Sequence, residues 1–323
     1  MKPVALFLRH SLQRSRMSRF PMPLLWLVFI AYYLACVLLH LYISNLIFVN
    51  PIATPFGSFK VSAYMGTLGK TALFLLALYL AFRCLAGACR LVTISYWSIW
   101  LVPVLMTSRF LLFHPNEYTH YPQYAILAIL LALCIDSDRS KVPWARILFW
   151  TTTLGVLDEM NQYFFLCRAY GDYLDFNDMF MNLQGAQAGL LLFYGFRHVP
   201  KRHTELKSLV SAVISAILSF EGITVLTVSV VTSFLLYTGT LQLTAPYKIS
   251  PGGVLDLNGI KTIFLERLPH ITGAWSKTPI GQSCYVFTPI TGMAVLIFTG
   301  FIFSTIVRFS KYKNIGSSLR VSG

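Results

Sequence analysis

Apolar side chains run almost unbroken through stretches of this chain at roughly 23–43, 71–89, 92–113, 121–136, 146–166, 179–196, 209–237 and 286–308. A helix rises 1.5 Å per residue, so about 20 apolar residues cross the ~30 Å of hydrocarbon in a bilayer. The runs predict an all-α fold, a polytopic transmembrane helical bundle of about eight spans. The second and fourth runs are the weakest, since Arg83 interrupts one and the other is short. The run from 21 to 43 follows a basic segment, as in a signal peptide, but it is too long for an h-region and reads as a retained first helix.

Basic residues recur on every second connection between the runs. Arg9, Arg14, Arg16 and Arg19 precede the first run, Arg83 and Arg90 follow the second, and Arg139, Lys141 and Arg146 follow the fourth. Arg197, Lys201, Arg202 and Lys207 follow the sixth, and Arg308, Lys311, Lys313 and Arg320 the last. Lys and Arg accumulate on the cytoplasmic side, which puts both termini there. Composition agrees: 56 % of the 323 residues are hydrophobic and 12 % charged, against roughly 25 % charged in soluble domains. Mean hydropathy is +0.63. A net charge of +14 would suit a nucleic acid if it formed one face. It is instead divided among short juxtamembrane loops, which argues against nucleic acid and for membrane lipids and other membrane proteins as partners.

The chain divides into a basic segment with three helices (1–114), a middle part with the densest polar residues (115–196), and two further helices around a long exported connection (197–323). That connection, 238–285, is long enough to be either functional or disordered. Within it "IKTIFLERL" reads as a short amphipathic helix on the outer membrane surface or as plain coil. Cys167 and Cys284 both fall at outer helix ends, where a disulfide between them is conceivable, two unrelated thiols being the alternative.

Against this apolar background the stretch "LDEMNQYFFLCRAYGDYLDFNDMFMNLQGAQAG", 157–189, is conspicuous for Asp158, Glu159, Asp172, Asp175 and Asp178. Asp158 and Gln162 share a helix face, with Glu159 about 100° to one side. On the next helix Asp178, Asn182, Gly185 and Gly189 form one stripe, whose glycines allow a neighbouring helix to approach closely. His120 and Tyr124 share a face of the preceding helix, and Arg109 and Arg168 sit at outer helix ends. All of these converge on one outward-facing pocket in the expected topology. Charges within a bilayer are expensive and usually mark function, although the same groups could simply bond one another and hold the bundle together. Glu221 could line the same cavity from the opposite wall or be bonded locally.

Three motifs in order, "HYPQYAIL", "LDEMNQYF" and "DMFMNLQGAQAG", resemble the H-x-x-x-Y-x-x-L, D-E-x-x-Q and D-x-x-x-N-x-x-G-x-x-x-G segments of VanZ-like proteins. The likeness covers roughly 115–195. It carries the family's positions onto His120, Tyr124, Asp158, Glu159, Gln162, Arg168, Asp178, Asn182, Gly185 and Gly189. The gap from Arg168 to Asp178, with Asp172 and Asp175 in it, is longer than usual for the family. The resemblance implies a bacterial inner-membrane location and a link to the cell envelope, the founding members being associated with glycopeptide (teicoplanin) resistance.

The leading expectation is therefore an outward-facing pocket in which Arg109, Arg168 and His120 grip an anionic lipid-linked or envelope ligand, guanidinium being suited to phosphate. The second is intramembrane hydrolysis, with Glu159 as general base and His120 as acid or metal ligand. Neither HExxH nor a paired-His motif nor CxxC is present, so no metal or cofactor is expected and no residue is given a catalytic role. The third is an accessory subunit of a membrane complex, and a proton-coupled transporter is a fourth.

Overall fold

A computed structural model describes residues 21–39, 42, 52–54, 57–59, 62–85, 91–139, 143–167, 171–194, 209–249, 254–257, 260–278 and 281–316. Its helices are α1 Met22–Leu38, α2 Ser62–Leu85, α3 Leu91–Phe110, α4 His120–Asp136, α5 Trp144–Asn161, α6 Phe176–Tyr194, α7 Leu209–Ile217, α8 Phe220–Tyr237 and α9 Pro289–Gly316. A 3₁₀ turn, Pro115–Thr119, leads into α4, and a π-helical turn, Gln162–Leu166, extends α5.

Helix α6 is the centre of the molecule, and only Asp178 and Leu192 along it escape burial. Its glycines explain how α4 comes so near. A methyl group on Gly189 would overlap the backbone of Ala125, and one on Gly185 would stand 2.8 Å from the Tyr121 carbonyl. On another side α5 closes in at Gly155, where a methyl would lie 3.0 Å from Asn182 Cβ. Gln184 of α6 is satisfied within the bundle. Gln184 donates to Thr107 Oγ1 of α3 at 3.0 Å, accepts from Tyr121 Oη at 2.9 Å, and its carbonyl accepts from Trp100 Nε1 at 2.8 Å. Helix α1 lies outside α4, with Tyr32 donating to the Gln123 carbonyl at 3.1 Å. Helix α9 covers α6 where Gly292 meets the Phe176 ring, and its Phe303 packs 5.8 Å from Trp144 of α5.

The expected eight-span, all-α bundle does not stand. Among the described residues two helices are long and apolar enough to cross a membrane, Asn116–Asp136 and Phe220–Tyr237, while Met22–Leu38 and Pro289–Thr305 are apolar but shorter. Apolar runs overcount spans here for identifiable reasons. The run at 179–196 became α6, whose Asn182 and Gln184 side chains are spent on neighbouring helices. The run at 209–237 breaks into α7 and α8 at Ser219, whose hydroxyl caps α8 by accepting from the Gly222 amide at 3.1 Å. The short run at 121–136 gains its length from the 3₁₀ turn before it.

Strands also appear, so the fold is mostly helical rather than all-α. β1 Ile52–Thr54 and β2 Gly57–Phe59 form an antiparallel pair. In the long connection, β3 Leu241–Thr244, β4 Val254–Leu257 and β5 Ile260–Glu266 make a sheet of order β3-β5-β4, with β3 parallel and β4 antiparallel to β5. β6 Trp275–Lys277 and β7 Ser283–Tyr285 pair antiparallel. The segment expected as an amphipathic helix or coil is thus β5. Its branched and aromatic residues suit a pleated surface, and Thr262, Phe264 and Glu266 are buried at the period of two that a strand presents on one face.

This β cap is fastened to the helices. Asn177 of α6 donates to the carbonyls of Leu111 at 2.9 Å and Tyr285 at 2.8 Å and accepts from the Phe287 amide at 3.0 Å. Residues 172–174 run beside β5, with Leu174 N–H donating to Leu265 O at 2.8 Å and Arg267 N–H to Asp172 O at 2.7 Å. The conceivable disulfide is absent, both thiols being free. Cys284 donates instead to the Leu111 carbonyl at 3.1 Å, and burial pushes its thiol up to about 12.

Candidate functional site

Because α4, α5 and α6 alternate in direction, the start of α4, the end of α5 and the start of α6 meet at one end of the bundle. Asn182 joins the three. Its amide nitrogen donates to Glu159 Oε1 at 3.1 Å, and its carbonyl oxygen faces His120 Nδ1 at 2.7 Å. Gln162, in the π turn, points its amide nitrogen at the same Glu159 oxygen from 3.4 Å. π turns are rare and recur at functional sites. His120 presents its other ring nitrogen, Nε2, to Asp178 Oδ2 at 3.4 Å. His120 and Glu159 are buried, Glu159 to 3 % exposure.

Asp158 lies one step around α5 and is fully buried. Its Oδ2 accepts from Tyr124 Oη at 2.9 Å, while Oδ1 has no hydrogen-bond partner among the described residues. This pair faces α1, where Tyr33 bonds the Leu154 carbonyl at 3.2 Å.

Between the helix ends and the β cap opens a cleft of ≈ 560 Å³. Glu159, Asp172, Asp175, Asp178 and Lys277 of β6 line it, together with Gln162, Tyr163 and Cys167. Asp175 also starts α6, its Oδ1 accepting from the amides of Asn177 at 2.9 Å and Asp178 at 3.1 Å. Burial, then the charge of Asp178, push the Asp175 carboxyl up to about 7. The cleft wall is braced by Arg267, whose guanidinium lies 4.1 Å from the Tyr163 ring centroid and donates to the Tyr163 carbonyl.

Of the residues singled out in the sequence, His120, Tyr124, Asp158, Glu159, Gln162, Asp178 and Asn182 are brought together, and Gly185 and Gly189 lie at the α4–α6 contact behind them. Arg109 is not among them. It is exposed and its guanidinium sits 5.3 Å from the Phe110 ring. Arg168 lies outside the described residues. Glu221 belongs to the opposite end of α5, bonded to Arg146 Nε at 3.2 Å. Thirteen residues of helix, about 20 Å, separate Arg146 from Glu159.

Lys277 and Arg267 carried no sequence signal, since both sit in a connection with no readable period. Asp172 and Asp175 were visible only as an unusually long acidic gap. As built, the cleft can hold positive charge and relay protons among closely spaced carboxyl groups and an imidazole. No family model, no curated protein and no solved structure matches the chain.

Proposed function

We propose that the protein is a VanZ-like, multi-pass protein of the bacterial cytoplasmic membrane that binds a positively charged ligand of the cell envelope in its acidic cleft. The observation that carries this reading is the lining, in which, among the described residues, the carboxyl groups of Glu159, Asp172, Asp175 and Asp178 are accompanied by one ammonium, that of Lys277. Crowded carboxyl groups with little access to water resist ionising together, and a cation relieves them. An anionic ligand would add to that repulsion, and the exposed Arg109 is not placed to offset it.

The membrane assignment is supported by α8, an apolar 18-residue helix with no buried residue, and by the segment Asn116–Asp136. A helix apolar all round is at rest only in a protein interior or in lipid. The VanZ-like assignment rests on the three motifs, whose His120, Glu159, Asp178 and Asn182 are linked to one another beside the cleft, Glu159 and Asp178 lining it.

Native mass spectrometry of the full chain in mild detergent tests the reading. The expected result is a retained cationic occupant, whether an amine-bearing lipid or a metal ion, that is lost from a Glu159→Gln, Asp178→Asn double variant. Identical occupants on wild type and variant, or an anionic lipid held equally by both, would overturn it.

A further inference from the structure

No histidine-rich metal motif occurs along the chain, yet three side chains from three helices meet as metal ligands do. One ligand atom from each of His120, Glu159 and Asp178 lies within 4.8 Å of the other two. We propose that these residues hold a divalent transition-metal ion of the Zn²⁺ class, with a fourth position open to the cleft. This rests on the reading of the cleft as a cation site and names the cation.

Spacing is the first support. His120 Nε2 and Asp178 Oδ2 are 3.4 Å apart, longer than the roughly 2.7–2.9 Å of a charge-assisted hydrogen bond. Two ligands of a tetrahedral ion with bonds of about 2.1 Å stand about 3.4 Å apart. The observed separation therefore fits two groups sharing an ion, with a Glu159 oxygen within 4.8 Å of both.

Orientation is the second. Asn182 is held amide-first against Glu159, which turns its carbonyl oxygen toward His120 Nδ1. That nitrogen then carries a proton, and whenever the ring is neutral Nε2 points a lone pair at the Asp178 carboxylate. Two acceptors facing each other require something positive between them. Metal-bound histidines characteristically donate their second N–H to such an acceptor, which fixes the ring.

The third support lies in the oxygens left over. Asp178 Oδ1 is enclosed without a hydrogen bond among the described residues. Glu159 makes its hydrogen bonds through Oε1, which leaves Oε2 available, and the 3 % exposed residue lines the cleft. One imidazole and two carboxylates suit Zn²⁺, Mn²⁺ or Fe²⁺ better than an all-oxygen ion such as Ca²⁺. Three protein ligands with one position free is the form of a reactive site rather than a structural one.

The competing occupant of the same gap is a proton, making His120 an imidazolium paired with Asp178. Titration of chelator-stripped, full-length protein in detergent separates the two. Calorimetry with Zn²⁺ is expected to give one equivalent per chain. Binding should be lost in His120→Asn and weakened about 10–100-fold in Asn182→Ala, which removes the hydrogen bonds that orient the His120 ring and the Glu159 carboxyl but no proposed ligand. Should those variants misfold, Co²⁺ bound to wild type still reports through its visible absorption, which is intense for a tetrahedral N/O set. No saturable Zn²⁺ or Co²⁺ binding, or binding unchanged in the variants of normal thermal stability, overturns the metal. In that event ethanolamine binding to wild type leaves the cation cleft standing, whereas silence with ethanolamine as well removes both readings.

Discussion

Asp175 holds the start of α6 through two backbone amides while its own carboxyl is pushed up to about 7, chiefly by burial and next by Asp178. An unfolded aspartate titrates near 3.8. Between these values the folded chain keeps a proton that the unfolded chain has released, so stability falls as pH rises through that window. Asn in place of Asp175 preserves the acceptor and removes the titration. With chelator present, Asp175→Asn is expected to match wild type in Tm at the acid end of the window and exceed it above the upper end. An equal difference in Tm at both ends would show that the carboxyl carries no such load. Residues borne on helices were legible in this way from the start: the spacing of His120 and Tyr124, or of Asp178 and Asn182, fixes their common face. Lys277 was not, because a strand of three residues leaves no period from which to infer where its side chain goes.

The contact between α4 and α6 decides whether those side chains meet at all. His120 comes from one helix and Asn182 from the other, and their 2.7 Å approach depends on glycines one and two turns away. Gly189→Ala puts a methyl into the Ala125 carbonyl, and overpacking of this kind costs about 1–3 kcal/mol. Gly300 in α9 has open space around its missing side chain, so Gly300→Ala should be neutral or slightly stabilising, as expected for a helix interior. Chemical unfolding of both variants checks the contrast, and equal losses would mean that the contact is looser than described. The sequence showed that glycine stripe plainly. It did not show β5, because "IKTIFLE" is too short for periodicity to tell a strand from a turn of amphipathic helix. Nor did it show the break at Ser219, since one serine inside an apolar run is not a stop signal until its hydroxyl is seen to cap.

Among the described residues, burial does not follow hydropathy helix by helix. α6 buries Asn177, Asn182, Gln184 and Gln187 at the centre, while α8 leaves Leu226, Val230 and Phe234 uncovered and Tyr237 90 % exposed. Mean hydropathy could not reveal this inversion, because it weighs a residue without regard to the side it faces, and so it counted α6 and α8 as equal spans. A carbene-generating probe dissolved in the lipid phase is expected to label peptides from Phe220–Tyr237 heavily and those from Phe176–Tyr194 hardly at all. Comparable labelling of the two would place α6 on the surface and undo the arrangement. The seating of α9 on α6 has a bearing on how the protein is made. Gly292 and Phe303 are synthesised well after the Phe176 and Trp144 they cover, so the central helix emerges from the ribosome with one flank bare. Until α9 arrives, that flank is an apolar surface open to chaperones and to non-native contacts.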